Sequence, residues 1–381
     1  MTSSPSGSDM KRISIVIGTR PEAIKMAPIV MALKQANVVL SVCKTGQHTD
    51  MVDSVLRVFG ITVDTDFSIM GKTDNLNDTT ALLLQKFQAY YAEFQPDIVF
   101  VQGDTASVFA GALAAFNTQI KVAHVEAGLR TGNLASPWPE EGFRSMVSPI
   151  TEYHFAPTET SADNLKKAGI PKEKIFVTGN TVIDALYAAE KIIESGTVEM
   201  TLPDSVTASR NTKRVLITGH RRENFGSGLD NLCRAVARLA ERYSDTDFVF
   251  PVHLNPVVQK QVSTFFLNKK LDNVLLIEPQ PYLEFIWLMK NSLLIITDSG
   301  GVQEEAPGLG KPVLVTRDTT ERPEGVAAGT VKLVGTSEAS LFEAACGLLE
   351  SEAAYAAMAT AQNPYGDGRA TERIVQIILE K

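Results

Sequence analysis

The segment Thr297-Asp298-Ser299-Gly300-Gly301-Val302-Gln303-Glu304-Glu305 follows the apolar run Leu294–Ile296 and reads as a glycine turn opening a helix. Glycine lets the backbone approach a ligand closely, and a helix N-terminus offers free N–H groups at the positive end of its dipole. Ser299, Gly300 and Gly301 therefore suit an anion such as a phosphate. Glu304 and Glu305 come within the next turn, where they would repel one. A ligand carrying both phosphate and hydroxyl groups, as a nucleotide with its ribose does, reconciles the two.

Other polar residues also gather just after apolar runs. Gly18-Thr19-Arg20-Pro21-Glu22-Ala23-Ile24-Lys25 puts Arg20 in a turn and Lys25 about one helical turn further on, where both could face a ligand or lie solvated at the surface. Asp104, in Gln102-Gly103-Asp104-Thr105, is either a functional acid or the N-cap of a helix over 107–116. His124 and Glu126 lie two apart, a spacing that shares one face of a strand. They could form half a metal site, but no third ligand stands at a recognisable spacing, so no metal is expected. Glu140 and Arg144 are spaced for an (i, i+4) ion pair. In the second half, His220, Arg221 and Arg222 occupy a glycine-flanked loop suited to a diphosphate, and Arg322 follows a later strand. A nucleotide diphosphate held by the second half would present its attached group to Asp104, Glu126 and Glu140, and that is general acid/base chemistry. No G-x-G-x-x-G fingerprint is present, so a nicotinamide cofactor is not indicated, and none is expected.

These residues need a scaffold that brings strand ends together. Short β-branched runs recur at 13–17, 38–42, 98–101, 122–125, 153–155 and 175–177, then at 215–218, 248–252, 274–277, 293–297, 313–315 and 331–334. Many are apolar on both faces, as parallel strands covered by helices are, and helical patterns separate them. The expectation is α/β: two Rossmann-like, doubly wound domains with a ligand cleft between them. Ligands of such sheets lie beyond the carboxyl ends of the strands, where the polar residues fall. Residues 1–10 read as a polar, disordered lead-in with no signal peptide. The first domain is expected over 11–179 with a returning C-terminal helix over 365–381, and the second over 180–364.

The chain has 381 residues, more than one core usually serves, and its net charge of −8 argues against nonspecific nucleic-acid binding. The three cysteines, Cys43, Cys233 and Cys346, form no paired motif, as in a reducing compartment. No apolar run reaches the roughly 18 residues a membrane span requires. A cytoplasmic protein with no membrane partner is expected.

The longer motifs are individually rare: GTRPEAIKMAP (18–28), QGDT (102–105), HVEAGLRTGN (124–133), SPWPEE (136–141), TGHRREN (218–224), TDSGGVQEEAP (297–307), RDTTERPE (317–324) and NPYGDG (363–368). With these motifs the chain resembles, from about Lys11 to Lys381, the non-hydrolysing UDP-N-acetylglucosamine 2-epimerases, whose two-domain fold is that of the GT-B glycosyltransferases. The resemblance implies interconversion of UDP-GlcNAc and UDP-ManNAc for bacterial surface polysaccharides, by elimination of UDP to 2-acetamidoglucal and re-addition. It implies Asp104, Glu126 and Glu140 as the acid/base set, with His220 at the departing diphosphate. Arg20 and Lys25 would lie near phosphate and sugar, and Arg144 would support Glu140. Ser299, Gly300 and Gly301 would hold phosphate, Glu305 the ribose, Arg322 the UDP, and Phe285 would lie beside the uracil. It further implies a homodimer, and closure about hinges at Gly179–Asn180 and Gly366–Gly368. Asp50, after Gln47-His48, is acidic where activated family members tend to carry a neutral amide, which argues against an activator site. The rival readings are a GT-B glycosyltransferase, a hydrolysing epimerase and a nucleotide-sugar sensor.

Overall fold

Apolar runs separated by amphipathic helices fold as two parallel sheets in the computed structural model, which describes residues 10–46, 50–219, 226–267 and 269–381. The first sheet holds β1 (Arg12–Ile17), β2 (Val39–Lys44), β3 (Thr65–Asp66), β4 (Ile98–Gln102), β5 (Lys121–Val125), β6 (Tyr153–Ala156) and β7 (Ile175–Val177). Among the described residues its order is β3-β2-β1-β4-β5-β6-β7. The helices that connect these strands are α1 (Arg20–Lys34), α2 (Asp50–Val58), α3 (Leu76–Phe94), α4 (Ala106–Asn117), α5 (Glu140–Val147) and α6 (Glu159–Lys167). After β7 comes α7 (Thr181–Ser195), followed by the short α8 (Asp204–Thr207).

The second sheet holds β8 (Lys213–Thr218), β9 (Thr246–Pro251), β10 (Val274–Ile277), β11 (Leu294–Thr297), β12 (Val313–Val315) and β13 (Val331–Leu333), in the order β10-β9-β8-β11-β12-β13. Its helices are α9 (Ser227–Arg242), α10 (Pro256–Phe266), α11 (Tyr282–Lys290), α12 (Gly300–Glu305), α13 (Pro323–Ala327) and α14 (Glu338–Glu350). The chain ends with α15 (Glu352–Ala359) and α16 (Ala370–Glu380). The fold is therefore the α/β, doubly wound pair that the alternating runs predict.

One compact unit runs to Ala188 and takes in Gly366–Lys381; the other is Ala189–Tyr365. In the first unit, Val16, Val99, Val101 and Val122 of the sheet pack with Leu83, Phe87 and Tyr91 of α3 and the alanines of α4. In the second, Ile217, Phe248, Phe250 and Ile296 pack with Leu232, Val236 and Leu239 of α9. The C-terminal helix α16 is held within the first unit. The Asp184 carboxylate of α7 accepts the Thr371 N–H at 2.8 Å and the Ala370 N–H at 3.3 Å, capping the first turn of α16.

β3 has no counterpart among the expected runs. Its two residues are polar, and they join the sheet edge through the parallel pairing of Lys44 with Asp66 and a 2.9 Å ion pair between the same two residues. Among the described residues, no helix is long and apolar enough to cross a membrane.

Both sheets reverse winding direction once, between β1 and β4 in the first and between β8 and β11 in the second. In open parallel sheets the crevice outside the carboxyl ends at such a switch point is where ligands bind. Each candidate loop can therefore be placed by the strand it follows.

Candidate active site

In the first unit the switch point is built from Gly18 and Thr19 after β1 and Gly103 to Thr105 after β4. The two tips approach closely because Gly18 has no side chain: a Cβ there would meet the Ser107 Oγ of α4 at 2.3 Å. Arg20 opens α1 and is half-buried. Lys25, one turn later, is buried at 8 % exposure, and its Nζ lies 2.5 Å from Glu126 Oε1. The Gln102 side-chain amide donates to the other Glu126 oxygen.

Glu126 is the first residue past β5 and takes φ +64°, the left-handed region that non-glycine residues avoid. The expected strand alternation between His124 and Glu126 therefore stops one residue short of Glu126. A left-handed non-glycine residue costs of order 1–3 kcal/mol and persists where surroundings impose it, most often at functional sites. Here Lys25 and Gln102 fix the carboxylate from two sides.

His124 has a different role. Its Nε2–H donates to the Gly103 carbonyl at 2.7 Å, and burial pushes its pKa down to about 3. It is a neutral, buried link between the β4 and β5 tips. Among the described residues no group of three or more His, Cys, Asp or Glu is placed to hold a metal.

Asp104 and Arg144 meet: the Arg144 guanidinium donates through Nη2 to the Asp104 carboxylate, and through Nη1 to Glu141 at 3.2 Å. Two expectations are corrected by this arrangement. Arg144 was expected to support Glu140, four residues earlier; it turns instead to Asp104 across the sheet and to Glu141 on its own helix. Asp104 was open to reading as the N-cap of α4; the cap is Thr105, whose hydroxyl accepts the Val108 N–H. Glu140 is half-buried at the start of α5. Its neighbour Glu141 is buried and accepts the backbone N–H groups of Thr131 and Gly132, both at 3.1 Å, anchoring the loop before α5.

Two residues of this site, Glu141 and Glu22, are not singled out by the sequence alone. Glu141 was masked by its neighbour Glu140, since spacing alone cannot say which of two adjacent carboxylates turns inward. Glu22 is buried at 2 % exposure and accepts the Gly18 N–H at 2.6 Å and the hydroxyls of Thr19 at 3.0 Å and Thr105 at 2.8 Å. The Thr19-x-x-Glu22 spacing is a capping-box signal that was available. Burial outweighs these donors and raises its pKa to about 7.

In the second unit, Ser299 is the N-cap of α12 and its N–H donates to the Thr297 hydroxyl at 2.9 Å. Gly300 is buried against the Arg322 guanidinium, whose Cζ would lie 2.8 Å from a Cβ at that position, whereas a Cβ at Gly301 would only touch Glu305 Oε2 at 3.9 Å. The close approach that Gly300 permits is thus, in the first place, to Arg322. Arg322 Nε donates to Glu304 at 2.6 Å, so the first of the two carboxylates after the glycines is neutralised locally. Glu305 accepts the buried Tyr282 hydroxyl at 3.4 Å. Phe285 is half-buried on α11, one turn after Tyr282. His220, Arg221 and Arg222 lie outside the described residues.

Comparison with known proteins shows what the chain is similar to. The family model described as UDP-N-acetylglucosamine 2-epimerase matches residues 31–379. A UDP-N-acetylglucosamine 2-epimerase of Salmonella typhimurium is 49% identical over 370 residues, which are 96% of this chain and 98% of that protein. The crystal structure of UDP-GlcNAc 2-epimerase from Neisseria meningitidis, bound to UDP-GlcNAc, superposes with a TM-score of 0.87 at 47% identity, covering 98% of this chain and 100% of that one. The Methanocaldococcus jannaschii UDP-GlcNAc 2-epimerase, in complex with UDP-GlcNAc and UDP, gives a TM-score of 0.80 at 36% identity, covering 97% of this chain and 100% of that chain.

Proposed function

The chain belongs to the UDP-N-acetylglucosamine 2-epimerase family, and on that premise we propose how its strand-tip carboxylates perform the reaction. The activity is epimerisation at C2 of UDP-N-acetylglucosamine, which yields UDP-N-acetylmannosamine. The C2 proton has no adjacent carbonyl to acidify it, so its removal is coupled to departure of the diphosphate from C1. One carboxylate takes the C2 proton, the C1–O bond breaks with its electrons going to UDP, and a C1–C2 double bond remains in 2-acetamidoglucal. Re-addition of UDP at C1, with protonation of C2 on the opposite face, completes the inversion.

A proton leaving one face and returning on the other requires more than one acid/base group. Asp104, Glu126 and Glu140 fill these roles. The observation that carries this reading is Glu126, held in left-handed backbone between Lys25 and Gln102 at the tip of β5. Support also comes from Arg144, whose guanidinium donates to the Asp104 carboxylate and orients it at the tip of β4. Arg20 and Lys25 supply positive charge for the phosphate and sugar. His220, Ser299, Gly300, Gly301 and Arg322 hold the diphosphate, Glu305 the ribose hydroxyls and Phe285 the uracil. Preorganised donors at the leaving diphosphate stabilise charge that develops in the transition state.

The enzyme is of the non-hydrolysing kind, acts as a homodimer and works in the cytoplasm. Exposed Phe116 and Met146 of the first unit support self-association, and sedimentation would report a monomer if it fails. Buried, unbridged Cys43, Cys233 and Cys346 suit a reducing compartment.

Incubation with UDP-GlcNAc followed by NMR tests the activity. UDP-ManNAc with little free sugar is expected; free ManNAc would make the enzyme a hydrolase, and an inert substrate would overturn the enzymatic reading. Asp104→Asn is expected to abolish turnover while UDP affinity stays within a few-fold. A large loss of UDP affinity would make Asp104 a binding or structural residue.

A further inference from the structure

Glu22 bridges the switch point of the first sheet. One of its oxygens, Oε2, accepts the Gly18 N–H at the tip of β1; the other, Oε1, accepts the hydroxyls of Thr19 and Thr105, and Thr105 belongs to the tip of β4. These strands are neighbours in the sheet but 80 and more residues apart in sequence, and β1 pairs with β4 only through Ile13, Ser14 and Ile15. Beyond that pairing β1 continues to Ile17 against β2 and β4 to Gln102 against β5 before their loops begin, and the Glu22 carboxyl joins the two tips. Thr105 directly follows Asp104 and is also the N-cap of α4, so its hydroxyl fixes both the helix start and the residue before it.

The burial of Glu22 makes the case stronger. A carboxyl group at 2 % exposure is costly to bury, and a simple cap on α1 would satisfy the same backbone donors at the surface. The ion pairs of Lys25 with Glu126 and of Arg144 with Asp104 and Glu141 do not involve it. Its donors are instead one N–H and two hydroxyls, drawn from both tips. That arrangement specifies geometry, not charge.

We propose that Glu22 is a positioning residue, which locks the Asp104 loop after β4 to the Arg20 loop after β1 through hydrogen bonds to Gly18, Thr19 and Thr105. The inference rests on the epimerase reading given above, in which Asp104 handles the C2 proton. It assigns Glu22 no contact with substrate. What it controls is reach: an acceptor at the end of a two-methylene stem meets Thr105, and a side chain one methylene shorter does not. Loss of the bridge frees Asp104 to drift from its working position, and a displacement of about 1 Å in such a group costs roughly 100-fold in rate.

The test compares reach with charge. Glu22→Asp keeps the charge and loses the reach; Glu22→Gln loses the charge and keeps the reach, since its carbonyl can face Gly18 and its amide the two hydroxyls. Thr105→Val removes the partner, and Thr105→Ser restores it together with the helix cap. Each is measured for kcat, for the KM of UDP-GlcNAc and for the dissociation constant of UDP by calorimetry. Glu22→Asp and Thr105→Val are expected to lower kcat by about 10- to 100-fold, with KM and UDP affinity changed by less than about threefold. Glu22→Gln and Thr105→Ser are expected to stay within about fivefold of the wild type. The double variant Glu22→Asp/Thr105→Val should be little slower than either alone, because both break one bridge. If Glu22→Asp does not fold, the Thr105 pair decides the question by itself. Wild-type kcat in Thr105→Val, or a loss seen in KM instead of kcat, would overturn the proposal. An inert wild-type enzyme would overturn the epimerase reading and this inference with it, which separates the two failures.

Discussion

Lys25 and Glu126 are buried together, so removing one strands the other. Breaking such a pair from one side typically costs about 3–5 kcal/mol, whereas removing both costs less. Lys25→Met and Glu126→Gln should each destabilise the protein by about that amount, and the double variant should fall short of the sum by about 2 kcal/mol. Additive losses in denaturant unfolding would show that the two do not act as a pair. Glu22 and His124 make the stability depend on pH in opposite senses. The folded protein holds the Glu22 proton up to about pH 7, while the unfolded chain releases it near the ordinary glutamate value of 4.5, so stability falls as pH rises between these values. The folded protein refuses the His124 proton down to about pH 3, while the unfolded chain takes it near 6.5, so here stability falls as pH drops between these values. Glu22→Gln removes the first effect. The variant should gain up to about 3 kcal/mol relative to wild type on going from pH 5 to pH 8, measured by guanidinium unfolding. An unchanged difference at the two pH values would place an ordinary carboxylate at Glu22. These residue-level roles were only partly legible beforehand. Asp104 and Glu126 are marked by their place after apolar runs, and Arg144 by its (i, i+4) spacing from Glu140. The partner that Arg144 chooses is not, because helix spacing names Glu140 and only the fold brings Asp104 within reach.

At the level of elements, each site residue depends on how a strand ends or a helix begins. Gly18 allows β1 to approach α4, and alanine there would press its Cβ into Ser107. Gly18→Ala is therefore expected to cost about 2 kcal/mol or more and to lower kcat as well, since Gly18 also donates to Glu22. A stable, fully active Gly18→Ala would mean that α4 shifts freely. The cap that Asp184 places on α16 joins residues nearly 190 positions apart in sequence, which no local pattern announces. Asp184→Ala should cost about 1 kcal/mol and release the amides of 370–374 to hydrogen exchange, leaving the remainder of the first unit protected. Protection retained at those amides would show that apolar packing alone holds α16. Most strands were legible because their β-branched residues are buried on both faces. β3 was not, since Thr65 and Asp66 belong to the sheet through one ion pair and an edge register.

At the scale of the whole molecule, two doubly wound units follow from alternating apolar runs, and strand order was the missing piece. That order matters, because the switch points between β1 and β4 and between β8 and β11 decide which loops become neighbours. With a net charge of −8, the proposed handling of an anionic nucleotide sugar rests on local cations: Arg20, Lys25 beside Glu126, and Arg322 beside Glu304 and Glu321. Family membership supplies the overall reaction, and the proposal gives the first unit the proton transfers and the second the nucleotide. In the proposed mechanism C2 loses its proton to a group in exchange with solvent and regains one on the other face. Incubation of UDP-GlcNAc with the enzyme in D2O, followed by NMR of C2, tests it directly. Deuterium at C2 of the UDP-ManNAc formed, appearing at the rate of epimerisation, is the predicted result; UDP-ManNAc that keeps the original C2 hydrogen would contradict the account.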